Sequence, residues 1–230
     1  VKSYISNEEG LKIETGLIHD YFATDQEKIS ATYRNAAIVL IDAELEKAND
    51  IFYFVHKAKE LEVPLVVMAH DFGQEVINMF LIEKVKNGTP LLLVKAPLYG
   101  ENRSALINDI SKMTGQPVIS ERSGNLVRLG LKGSDVKKRA DASQQFMGSI
   151  NKIQMNKVST SIQYDINQEY IDELKLAYKE TKDEFINERV AMLTGGVATI
   201  NVGGYSMTEV VERLDRVEDA VNATKASLVS

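Results

Sequence analysis

The chain has 230 residues, 44% hydrophobic and 26% charged, enough for one large domain with a sizeable core and a small appendage. It has no cysteine, which excludes disulfides and thiolate metal sites, and a formal net charge of -6 gives no electrostatic footprint for nucleic acid or an anionic membrane surface. No apolar run approaches the roughly 20 residues that cross a bilayer, and Val1-Lys2-Ser3-Tyr4 is neither an initiator methionine nor a signal-peptide start, so a soluble, intracellular piece of protein is expected.

Three short runs read as buried strands: Ala37 to Ile41, Pro64 to Ala69 and Pro90 to Val94. Each is apolar on both alternating faces, which suits a central strand covered from both sides. Between them, Asn49 or Asp50 can cap a helix reaching about Glu62, and a second helix from Gln74 to Lys86 stops at Asn87-Gly88. A third spans about Ser104 to Met113 and ends at Gly115. This alternation predicts a layered α/β fold, a central sheet flanked by helices. From Pro117 to Ser161 the pattern is less regular, with short strands expected at Val118 to Ser120, Leu126 to Leu129 and Val158 to Ile162. The cluster Lys137-Lys138-Arg139 reads as solvated surface in an acidic chain. One long helix is predicted from Asn167 to Leu193, packed through Tyr170, Leu174, Tyr178, Phe185 and Val190, then a strand from Val197 to Gly204 and a last helix from Thr208 to Ala226.

The helix Gln74 to Lys86 carries more apolar surface than one stripe can hold. Val76, Ile77, Met79, Phe80, Leu81, Ile82 and Val85 spread nearly around it at about 100° per residue. Burying Val76, Met79 and Phe80 leaves Ile77, Leu81 and Ile82 displaced. The preceding helix is a milder case, with Ile51, Phe54, Ala58 and Leu61 as core stripe, Phe52 about 100° from Ile51 and Val55 between. Either a further layer covers both helices, or they form an exposed groove for a partner chosen by apolar area.

At this point the residues resemble a known family. Lys95-Ala96-Pro97-Leu98-Tyr99-Gly100, Arg103, Asp109-Ile110 and Thr114-Gly115-Gln116-Pro117-Val118-Ile119-Ser120-Glu121 are similar to the apical domain of group I chaperonins. Leu193-Thr194-Gly195-Gly196-Val197-Ala198, Val202-Gly203, Arg216-Val217-Glu218-Asp219-Ala220 and Asn222-Ala223-Thr224 are similar to the same family's return into its intermediate domain. The resemblance implies an apical, polypeptide-binding domain over residues 9–197, a small α/β part of the intermediate domain over 1–8 and 198–230, and no equatorial ATP-binding domain. It implies a substrate-binding surface at Leu17, Tyr21, Phe22, Phe52, Val55, Ile77, Leu81 and Ile82, which takes unfolded polypeptide and then a co-chaperonin lid. Gly10 and Gly196 fall where the family's chain passes between domains; a hinge and an ordinary turn suit them equally.

The resemblance sets Asp219 where chaperonins keep an aspartate that acts on ATP hydrolysis, by orienting water or holding Mg near the γ-phosphate. Neither a G-x-x-x-x-G-K-[ST] loop nor the family's Gly-Asp-Gly-Thr-type phosphate loop is present. ATP and Mg are therefore expected in the intact subunit, an ATPase and ring-forming homo-oligomer, and neither in this non-catalytic excised piece. The family's Gly-Phe-Gly-Asp-Arg-Arg is here Leu98-Tyr99-Gly100-Glu101-Asn102-Arg103, and Met207 replaces a glutamate that makes contacts between subunits. His56 and His70 also replace expected residues. The relative is divergent, in the cytoplasm, an organelle matrix or, if viral, the host cytoplasm. His19, His56 and His70 lack metal-ligand spacing. The competing readings are an adaptor for one folded partner, or a small-molecule-binding α/β domain with its ligand at Ala69-His70-Asp71 or Lys95-Ala96-Pro97.

Overall fold

The apolar runs become the parallel half of a mixed sheet. A computed structural model describes residues 4–120 and 136–201. Strands β2 (Ala31–Leu40), β3 (Leu65–Ala69) and β4 (Leu91–Lys95) are parallel neighbours, with Ala37 opposite Leu65 and Leu65 opposite Leu91. Helices α1 (Ala48–Leu61) and α2 (Gln74–Asn87) are the crossovers between them, as β-α-β geometry requires. Every residue of β3 is buried, so the continuous apolar run reports cover on both faces of the sheet.

Beyond β2 the sheet becomes antiparallel. β5 (Gly148–Met155) pairs with β2, β6 (Thr160–Gln163) with β5, and β1 (Tyr4–Ile13) with β6. The resulting order is β4-β3-β2-β5-β6-β1. Helix α4 (Val136–Ser143) packs on α1, and α1 on α2. A second helical group is α3 (Gly100–Thr114), α5 (Gln168–Thr181) and α6 (Glu184–Thr194), in which α5 and α3 each pack on α6. The fold is α/β. The chain forms two compact units, Glu9–Gly195 and a smaller one of Val1–Glu8 with Gly196–Ser230. In the smaller unit the opening residues of β1 neighbour β7 (Gly196–Asn201).

The second helical group is tied by one buried ion. Asp109 of α3 has no exposed surface, and Arg189 of α6 grips it through Nε and Nη2, both at 2.6 Å. The Tyr170 hydroxyl of α5 donates to the same carboxylate at 2.5 Å. A bidentate guanidinium and a phenol satisfy the carboxylate, which makes its burial tolerable.

Several elements differ from the sequence expectation. The long helix is two: Lys182 turns into the left-handed region at φ 55, and Asp183 caps the new helix by accepting from Phe185 N–H at 3.0 Å. Helix α1 begins at Ala48, before either expected cap, and the Glu75 carboxylate accepts its first N–H at 3.1 Å. Helix α3 begins at Gly100. Strands β1 and β5 went unanticipated, the strand expected at Val158 begins at Thr160, and Ile119 makes only an isolated bridge with Ile41. The expected strand Leu126 to Leu129 and helix Thr208 to Ala226 lie outside the described residues.

Candidate functional site

Helices α1 and α2 are held side by side at two points. Near their starts Glu75 caps α1, and further along Lys59 of α1 meets Glu83 of α2 at 2.7 Å. The Lys59 ammonium holds the Glu83 carboxyl below its usual value. Glu83 Oε2 also accepts from the Thr89 hydroxyl at 3.1 Å. Lys84 donates to the Tyr33 hydroxyl at 2.7 Å and lies over that ring, and burial lowers its pKa. Burial in turn pushes the Tyr33 phenol up to about 12. These contacts occupy Lys59, Glu83 and Lys84, while apolar side chains of both helices stay exposed beside them.

Between the two ties, α1 exposes Phe52 at 42% and α2 exposes Ile82 at 51%, with Val85 at 63% one turn further on. Ile77 and Leu81 are half-buried, leaning on the core. A short 3-10 turn, Asp20–Phe22, packs on α2 and presents Tyr21 at 61% exposure against the His19 ring. Leu17, just before it, is half-buried. The turn is held because His19 Nδ1 accepts from Tyr21 N–H at 3.1 Å.

Two residues of the expected surface do not belong to it. Val55 is 2% exposed, because Ile51, Phe54, Val55 and Ala58 follow the i, i+3, i+4, i+7 spacing of one helical face and all four are buried. Phe22 is fully buried, the anchor that pins the turn to the domain while Tyr21 faces out. Leu61, expected in the core, is exposed at the end of α1. Met79, also expected to be buried, is half-buried. Val85 is the surface residue that the resemblance did not supply, although the helical wheel had it among the surplus apolar side chains.

Gly10 has a steric reason to be glycine: a Cβ there would meet the Ile162 carbonyl oxygen of β6 at 2.3 Å. Gly196 opens β7. Asp219 lies outside the described residues. Among the described residues, no three His, Asp or Glu side chains converge to hold a metal, and no helix is long and apolar enough to cross a membrane.

An α/β domain with an apolar rim of helices is the class that this geometry defines. Sequence comparison narrows it. Over 96% of its length the chain is 34% identical to chaperonin 60 subunit beta 3, chloroplastic, of Arabidopsis thaliana. It is 33% identical, over the same share, to the RuBisCO large subunit-binding protein subunit beta, chloroplastic, of Secale cereale and of Pisum sativum. No family model matches it. The chain spans only 36%, 44% and 36% of those three relatives. The chain belongs to the group I chaperonins, as a divergent member.

Proposed function

We propose that residues 9–197 are the apical domain of an ATP-dependent chaperonin subunit, which captures unfolded polypeptides and assists their folding. Residues 1–8 and 198–230 contribute part of the intermediate domain, with Gly10 and Gly196 at the hinge. The observation that carries the reading is the exposed apolar set Tyr21, Phe52, Ile82 and Val85, backed by half-buried Leu17, Ile77 and Leu81. Few fixed polar groups interrupt it, so it ranks clients by apolar area and not by hydrogen-bond pattern. Burying ~300 Å² there contributes roughly 7 kcal/mol before ordering costs, a capture that is firm but reversible.

In the intact subunit, ATP and Mg drive release, and Asp219 acts on hydrolysis once hinge closure brings it to a nucleotide held elsewhere. The partners are unfolded chains, a co-chaperonin lid and further copies in a ring. Relatives that are named as chloroplastic favour an organelle matrix.

The test is suppression of light scattering by chemically unfolded, unrelated proteins diluted into the chain. Ile82→Glu and Phe52→Glu should abolish suppression while leaving the melting temperature unchanged, since both side chains face solvent. Ile77→Glu and Leu81→Glu are poorer probes, because both lean on the core. Full suppression by the double variant Phe52→Glu/Ile82→Glu would overturn the reading.

A further inference from the structure

The carboxyl ends of β3 and β4 open into a second feature, a cavity of about 630 Å³ on the Glu9–Gly195 unit. The carboxyl ends of parallel strands are where α/β sheets hold ligands. Three cationic side chains line the cavity: Lys12 from β1, Lys95 at the end of β4 and Arg103 from the first turn of α3. Glu14 is the one carboxylate among its lining residues.

Two observations separate this cluster from ordinary surface charge. Arg103 Nε is buried and has no hydrogen-bond partner among the described residues. A buried donor left unpaired is costly, and native structures rarely leave one without a use. Helix α3 also starts without a side-chain cap, since Tyr99 at that position makes none. Its first-turn N–H groups and the positive end of its dipole therefore lie beside Arg103. The floor is held rigid: His70 Nε2 meets Asp42 Oδ1 at 2.5 Å, and Ser104 of α3 donates to the same oxygen at 3.0 Å. Lys95 is steadied by Asp71 at 3.0 Å, whose carboxyl it holds below the usual carboxylate range. Part of the remaining wall is apolar, formed by Pro97, Leu98 and the outward-facing Tyr99.

We propose that this cavity binds a small organic phosphate monoester, its head on Arg103 and Lys95, its apolar body against Tyr99 and Leu98. The chemistry selects the ligand. An oxyanion with three acceptor oxygens answers a guanidinium and an ammonium together, and Leu98 and Tyr99 favour an organic body over a bare inorganic ion. Glu14, the carboxylate among the lining residues, limits the negative charge that is tolerated. The site is separate from the apolar helices α1 and α2 and does not depend on their capturing polypeptide.

Phenyl phosphate titrated into the isotope-labelled 230-residue chain tests this, followed by the Arg103 Nε–H and Tyr99 amide resonances in nuclear magnetic resonance spectra. Saturable shifts of both are expected, and phenol should move neither. Arg103→Gln should weaken binding about tenfold or more, the loss of one charge-assisted hydrogen-bonding group, while Glu14→Gln should tighten it. Lys12→Gln, at an exposed position, serves as the second charge variant should Arg103→Gln impair folding, and should also weaken binding. Phe52→Glu/Ile82→Glu should bind normally, which keeps this site distinct from the proposed capture surface. Equal binding of phenol, unsaturable shifts, or unchanged affinity in the two charge variants would overturn the proposal.

Discussion

The strongest single-residue dependence in the larger unit is the Asp109 carboxylate, which is buried completely and held by Arg189 and Tyr170. Removing Arg189 takes away two of the three hydrogen bonds that this fully buried carboxylate accepts. Arg189→Met should therefore cost about 3–5 kcal/mol in urea denaturation, several times more than loss of an exposed ion pair. Tyr170→Phe removes one neutral donor and should cost about 1 kcal/mol. Its pH dependence has a definite sign. Burial first, and the Asp109 carboxylate second, push the Tyr170 phenol from 10.0 up to about 12. A group raised on folding contributes fully below its unfolded value and loses that contribution as pH rises toward the folded one. The gap between wild type and Tyr170→Phe should thus be constant below pH 10 and close between 10 and about 12. A gap that widens there would mean that the phenol is not the donor.

Among the elements, those whose pattern is continuous were readable, and those whose signal is broken were not. Strand β3 and the stretches 36–40 of β2 and 91–94 of β4 announce themselves because both faces are buried there, so every position is apolar. Strand β5, Gly-Ser-Ile-Asn-Lys-Ile-Gln-Met, is central and yet buries only alternate residues for most of its length, and its polar half hid it. The break between α5 and α6 had a local sign, an Asp183 able to cap, but the apolar spacing continues through it. The surface on α1 and α2 was half legible. The wheel identified surplus apolar residues correctly, but whether Val55 or Phe52 turns inward depends on the phase of the buried stripe, and Phe22 is fixed by a turn that no periodicity describes. The two helices are linked by Lys59 and Glu83, and the depressed Glu83 carboxyl again sets a sign. A lowered group stabilises above its unfolded value, near 4.5, and loses this as pH falls through the folded one. Glu83→Gln should cost under about 1 kcal/mol at neutral pH, given the exposure of Lys59, and nothing in acid below both values. Chemical denaturation at the two pH values measures the difference.

For the molecule as a whole, the cavity at the strand ends could not have been read in full. His70 and Lys95 to Pro97 stood out as positions where a sheet holds ligands, but Lys12 and Arg103 reach it from β1 and α3, distant in sequence. Charges that converge through tertiary structure leave no spacing to find. The same reasoning about what belongs together predicts how the chain can be divided. The buried apolar cluster runs from Leu11 to Leu193 and the exposed apolar set from Tyr21 to Val85, so core and proposed capture surface both fall inside Glu9–Gly195. A chain of residues 9–195 should therefore unfold in one cooperative thermal transition followed by circular dichroism. It should suppress aggregation as well, mole for mole, as the 230-residue chain. It lacks Asp219, and adding ATP with magnesium should change neither result. A non-cooperative melt would mean that the core needs the remaining residues; a cooperative melt with lost suppression would move client capture away from α1, α2 and the Tyr21 turn.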